Sequence, residues 1–73
     1  MKNTMEKLKI EMIDGDYYDS EKHCFVINYN GRGAKFAADA EIKDLDGIVW
    51  DCYLTNVKFY PRDDSYTAEY KAY

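Results

Sequence analysis

The feature that most constrains this chain is a long β-forming run at residues 48–60. Its apolar side chains would occupy both faces of a strand. One alternating set is Ile48, Trp50, Cys52 and Leu54, and the other is Val49, Tyr53, Val57 and Phe59. Because successive side chains point to opposite faces, such a strand is either buried on both sides or sharply bent. A bend or bulge near Thr55 and Asn56 would let one strand serve two faces of a small barrel.

Shorter β patterns flank this run. Apolar residues alternate with polar ones at residues 8–12 and again at 66–72, and residues 23–29 are β-branched and aromatic on both faces. Turn residues separate the patterns at Asp14-Gly15-Asp16, Asn30-Gly31, Asp46-Gly47 and residues 61–64. Tyr17 and Tyr18 are expected to extend the first hairpin. The sequence therefore predicts a mainly β fold, a small antiparallel five-stranded meander or barrel.

Residues 35–42 are ambiguous. Three alanines in this stretch, together with Ala34 just before it, favour a helix. The strict alternation of Phe36, Ala38, Ala40 and Ile42 with Lys35, Ala37, Asp39 and Glu41 instead favours a strand. The alternation and the turn pairs at both ends favour a strand. The alternative is an α+β fold with a helix over residues 34–45.

The size of the chain predicts one domain over residues 1–73, because 73 residues bury too little surface for a second core. Residues 1–7 have no clean period and are expected to form a flexible lead-in or a first helical turn. A core this small contributes only about 3–5 kcal/mol to the folding stability. We therefore expect that the chain can gain further stability by forming a homo-oligomer.

The charge and the cysteines limit the partners. The formal charge of −4, from 14 acidic and 10 basic residues, makes nucleic acid an unlikely partner. Residues 1–9 lack the apolar core of a secretion signal, and no run approaches the length of a membrane span. We therefore expect a cytoplasmic protein, with no membrane partner, whose Cys24 and Cys52 are reduced and buried.

Catalytic and metal-binding patterns are weak. His23 is the sole histidine and its neighbour Cys24 would point to the opposite face of a strand, so the two cannot act as base and nucleophile. Two cysteines and one histidine are too few for a structural zinc site unless a dimer shares it. The glycines of Gly31-Arg32-Gly33 lack the spacing of a phosphate-binding loop. We expect no enzyme activity, metal or cofactor.

The strongest functional signal is the interleaving of carboxylates with tyrosines near two turns and on the last strand. Such a surface suits a protein partner with a basic surface, since carboxylates steer its approach and rings supply contact area. We expect Tyr29 and Tyr53 to be near the core. The predicted partner-binding residues are Asp14, Asp16, Tyr17, Tyr18, Tyr60, Asp63, Asp64, Tyr66, Glu69, Tyr70 and Tyr73.

Three functions are compatible with these features. The leading hypothesis is a small acidic protein-binding module, such as a phage-type inhibitor of a nucleic-acid-handling host or defence protein. The second is a barrel like the oligonucleotide-binding fold that binds single strands or a small ligand through Tyr29, Arg32, Phe36 and Trp50. The third is a structural or assembly subunit whose tyrosine-rich last strand is a sheet edge that pairs with a neighbour.

Overall fold

The computed structural model describes residues 7–29 and 36–73, and these contain strands and turns but no helix. The prediction of a mainly β protein is confirmed. The expected lead-in at residues 1–7 lies outside the described residues except for Lys7. The helical alternative over 34–45 does not form where it can be checked, because residues 39–43 are a strand.

The described residues form six strands in one sheet. They are β1 (Leu8–Glu11), β2 (Tyr17–Asp19), β3 (Cys24–Tyr29), β4 (Asp39–Lys43), β5 (Val49–Tyr60) and β6 (Ser65–Ala72). Five of them correspond to the five predicted strands. The sixth, β2, consists of Asp19 and the two tyrosines that were predicted to extend the first hairpin.

The strand order is β1-β4-β5-β6-β3-β2, so the sheet is not a simple succession of hairpins. β1 pairs with β4 in parallel, and all other neighbours are antiparallel. The residues of the Asn30-Gly31 turn lie outside the described ranges, but the strands on either side of it, β3 and β4, are not partners. β6 pairs on both sides, with β5 and β3, so the last strand is not the expected edge.

The long strand β5 contains the expected irregularity. Its register with β6 shifts between Leu54 and Asn56, which leaves Thr55 as the extra residue. Before the shift Leu54 lies opposite Tyr70, and after it Val57 lies opposite Ala68. The bulge reverses the alternation, so that both halves of β5 turn apolar side chains toward the same face. The predicted irregularity near Thr55 and Asn56 is confirmed as a bulge, but it keeps the apolar side chains of both halves on one face instead of letting the strand serve two faces.

The sheet curls into a half-barrel with its core on the concave face. Ile27, Ile42 and Tyr70 are fully buried there, together with smaller side chains that let the strands curve. Phe25 on β3 and Trp50 on β5 reach over the intervening β6, with ring centroids 6.0 Å apart. Two flat strand spacings would be about 9.6 Å, so these rings lean inward over β6.

The cysteines are free and buried, as expected. Cys52 lies in the concave core, whereas Cys24 alternates with the core residues of β3 and lies on the other face. Tyr29 is buried, but Tyr53 is 36% exposed and is not the core residue that the sequence suggested.

Candidate functional site

The acidic turn after β1 and the start of β6, which directly follows the second acidic turn, meet at one end of the half-barrel. A cavity of about 410 Å³ is lined by Asp14 and Gly15 from the β1–β2 turn and by Ser65 and Tyr66 from the start of β6. Next to it on the convex face, Tyr17 shares a polar groove of about 370 Å³ with Tyr60 and Asp63. We name Asp14, Tyr17, Tyr60, Asp63 and Asp64 the acidic–tyrosine surface, and all five are exposed.

The first turn is held in place by its own backbone. Gly15 has a φ of 102°, a conformation that suits glycine. The backbone N–H of Asp16 donates to the Ile13 carbonyl at 3.0 Å, and the Asn28 side-chain amide donates to the Gly15 carbonyl at 2.6 Å. Asp14 is therefore presented at the tip of a turn that is anchored to β3.

The second turn closes the β5–β6 hairpin. The backbone N–H of Asp63 donates to the Tyr60 carbonyl at 3.2 Å, and that of Asp64 donates to the Pro61 carbonyl at 3.4 Å. Asp64 adopts a φ of 50°, which aspartate tolerates better than most side chains do. Both carboxylates point away from the core at a hairpin end, where no ion pair of the described residues involves them.

Glu69 has a different role from the exposed carboxylates beside it. Its side chain is only 11% exposed, and its Oε2 atom lies 3.4 Å from Lys22 Nζ and 3.7 Å from Lys58 Nζ. The Glu69 charge raises the pKa of Lys22. The two lysines offset the Glu69 charge at the floor of the polar groove, so Glu69 organises the groove and adds no uncompensated charge.

The remaining predicted residues are not part of this surface. Tyr70 is fully buried and Asp16 is 5% exposed, so neither presents a side chain to a partner in the folded chain. Tyr66 is half-buried and packs on Phe36 and Phe59, with centroids 5.5 and 4.8 Å away. Tyr73 lies against Tyr53, 4.9 Å between centroids, and donates to Asp39.

A third cavity, which the sequence pattern did not indicate, opens at the concave side. It measures about 570 Å³, and its walls include Tyr18, Phe25, Leu45 and Trp50. We name it the aromatic groove. Tyr18 is on the edge strand β2 and Trp50 is on β5, with β3 and β6 between them. The sequence shows two aromatic residues far apart in the chain but not that they line one groove. Tyr17 lines both the polar groove and the aromatic groove, which makes the two surfaces neighbours.

One turn fixes Trp50 in the aromatic groove. The Asp44 carboxylate accepts a hydrogen bond from the indole Nε1–H at 2.9 Å, and its other oxygen accepts the backbone N–H groups of Asp46 and Ile48, both at 2.9 Å. These bonds, with that from Trp50 first, lower the Asp44 pKa below its ordinary value. The indole is thus oriented before any ligand arrives, although the side chain stays 39% exposed.

The groups with catalytic potential are not assembled. His23 is exposed in the β2–β3 turn, and burial raises the pKa of the Cys52 thiol to about 11. Within residues 7–29 and 36–73, no three metal-ligating side chains come together. The same ranges contain no helix long and apolar enough to cross a bilayer.

Comparison of the chain with protein-family models, with curated proteins and with solved structures finds no match.

Proposed function

We propose that this protein is a small binding module that recognises a basic surface on another protein through its acidic–tyrosine surface. The observation that carries the proposal is that the turn with Asp14 and the start of β6 line one cavity, while Tyr17, Tyr60 and Asp63 line the polar groove next to it. An inhibitor of a nucleic-acid-handling host or defence protein, of the kind that phages encode, would use such a surface by occupying the partner's basic groove.

The composition of this surface supports a protein partner. Tyr17 and Tyr60 are 53% and 43% exposed, so each offers ring area to a contact while its hydroxyl stays available for hydrogen bonds. Anchored turns present the carboxylates, so little conformational entropy is lost when a partner binds. Carboxylates at the rim raise association rates with a basic partner and disfavour an acidic one.

The nucleic-acid alternative gains no comparable support. Tyr29 is buried, and Phe36 packs against it with centroids 5.2 Å apart, whereas Trp50 lies in the aromatic groove with Phe25. Arg32 lies outside the described residues. The residues that would have formed a stacking platform are therefore divided between two clusters.

The proposal is tested by mapping a basic probe on the protein by nuclear magnetic resonance. A lysine homopeptide is titrated into the isotope-labelled full chain at low salt. The largest amide shifts are expected at Tyr17, Tyr60 and Asp63. A double variant, Asp14→Lys with Asp63→Lys, reverses one charge in each turn and should weaken binding about tenfold, since both turns contribute.

The matched control is Glu11→Lys with Glu41→Lys, which makes the same change in net charge on the convex face of β1 and β4. It should alter the affinity by no more than about twofold. Equal losses in the two double variants would show that the peptide responds only to total charge, and the proposal would then be abandoned. A labelled single-stranded oligonucleotide, tested in parallel by anisotropy, should not bind.

A further inference from the structure

We infer that the aromatic groove receives an arginine side chain of the partner protein. This inference rests on the proposed function, because it supplies the anchor that a basic partner would insert beside the acidic–tyrosine surface. It concerns the residues of the aromatic groove, which adjoins the polar groove at Tyr17. It can therefore be wrong even if the proposed function is right.

The first argument is the arrangement of three rings. Phe25 is buried at the floor of the groove, with Tyr18 4.9 Å from it on one side and Trp50 6.0 Å from it on the other. Tyr18 and Trp50 stay 48% and 39% exposed. The Tyr18 and Trp50 rings are inclined to the Phe25 ring by 67° and 46°, so two half-exposed rings wall the groove around a buried third, and the faces of aromatic rings attract cations.

The second argument is the charge at the rim. Asp44 and Asp46 line the groove, and none of the lining residues in the described part of the chain is a lysine, arginine or histidine. A purely apolar ligand would desolvate these carboxylates without compensation, and an anion would be repelled. Asp44 is occupied by Trp50 and by its own turn, so Asp46, at the exposed tip, is the carboxylate available to pair with a ligand cation.

The third argument selects arginine among the cations. A guanidinium is planar, stacks on aromatic faces, is weakly hydrated and pairs with a carboxylate through two parallel hydrogen bonds. A lysine ammonium is a compact, strongly hydrated charge that gains less from ring faces. The cavity volume of about 570 Å³ accommodates the whole side chain.

The test uses blocked tripeptides with the labelled full chain. Acetyl-Gly-Arg-Gly-amide is compared with the same peptide containing citrulline, which has the shape of arginine without its charge. The arginine peptide should shift the Trp50 indole N–H resonance saturably, and the citrulline peptide should bind at least about threefold more weakly. A lysine tripeptide should also be weaker than the arginine one. Equal affinity of the arginine and citrulline peptides would overturn the inference.

A pair of variants localises the effect. Asp46→Asn removes the available carboxylate and keeps a good turn residue before Gly47, so it should weaken the arginine tripeptide by about threefold or more. Asp63→Asn makes the same charge change on the acidic–tyrosine surface and should leave the tripeptide affinity nearly unchanged. Identical losses in both variants would contradict the inference.

The two proposals separate in these experiments. If the lysine homopeptide shifts Tyr17 and Asp63 while the arginine tripeptide leaves Trp50 unmoved, the inference about the groove is wrong and the proposed function stands. If the tripeptide binds at Trp50 but the homopeptide ignores the acidic–tyrosine surface, the proposed function is wrong and the groove is a separate guanidinium site.

Discussion

The carboxylate of Asp16 accepts the backbone N–H of Asn28 at 2.9 Å through one oxygen and that of Ile13 at 3.1 Å through the other. This contact joins the turn after β1 to β3, although the two segments belong to different parts of the sheet. Asp16 is 5% exposed, so its carboxylate accepts these hydrogen bonds away from bulk water. The acidic–tyrosine surface depends on it, because the same turn carries Asp14.

The first prediction concerns this contact. Asp16→Ala should lower the free energy of unfolding by about 2–3 kcal/mol, because it leaves two backbone donors without their charged acceptor. Urea denaturation followed by circular dichroism measures the change. Asp14→Ala, two residues away and exposed, should stay within about 0.5 kcal/mol of the original chain. A comparable loss in both variants would mean that the turn and not the buried carboxylate is responsible.

The second prediction is a pH dependence centred on Asp44 and Trp50. The Asp44 pKa is lowered in the folded chain, so its ionised form stabilises the fold above the ordinary value of 3.8, and this stabilisation is lost as the pH falls through the lower folded value. Trp50 fluorescence should therefore change with a midpoint below 3.8. Far-ultraviolet circular dichroism separates this step from unfolding.

Asp44→Asn is the control for that titration. The amide cannot ionise, so the fluorescence step should disappear over the same pH range. A midpoint at or above 3.8 in the original chain, or an unchanged step in the variant, would show that another group controls the indole.

The third prediction concerns the thiols. Burial raises the pKa of Cys52 to about 11 and also raises that of Cys24, so little thiolate exists at pH near 8. In the native protein both cysteines should react with a disulfide reagent far more slowly than in urea, where both become accessible. A Cys24→Ala variant assigns the residual native rate to Cys52. Immediate reaction of either native thiol would contradict its burial.

The fourth prediction concerns the turn between β2 and β3. His23 has a φ of 56°, a left-handed conformation that β-branched side chains strongly resist. The Asp19 carboxylate holds this turn by accepting the backbone N–H groups of Glu21 at 3.0 Å and Lys22 at 3.2 Å. His23→Val should lower the free energy of unfolding by about 1–2 kcal/mol, whereas His23→Asn should stay within about 0.5 kcal/mol. Thermal and urea unfolding measure both, and equal effects would refute the backbone explanation.

The candidate surface was only partly visible in the sequence. Asp63 and Tyr60 could be placed beside a turn because proline and aspartate mark that turn directly. Tyr70 could not be distinguished from the exposed tyrosines. Alternation assigns the side chains of a strand to two faces, but it does not say which face is packed against the core. Glu69 likewise looks like a surface acid until Lys22, from a distant turn, is placed beside it.

Local chemistry was sufficient for the strands, several turns and the bulge near Thr55, since alternation, glycine and aspartate act over a few residues. The partners of each strand were decided only by the tertiary structure. β1 lies beside β4, and β3 beside β6, because closing a longer loop adds little entropy cost once the pairing buries more apolar surface. That non-local choice, which no short-range pattern encodes, brings the Asp14 turn to the start of β6 and Tyr18 to the same groove as Trp50.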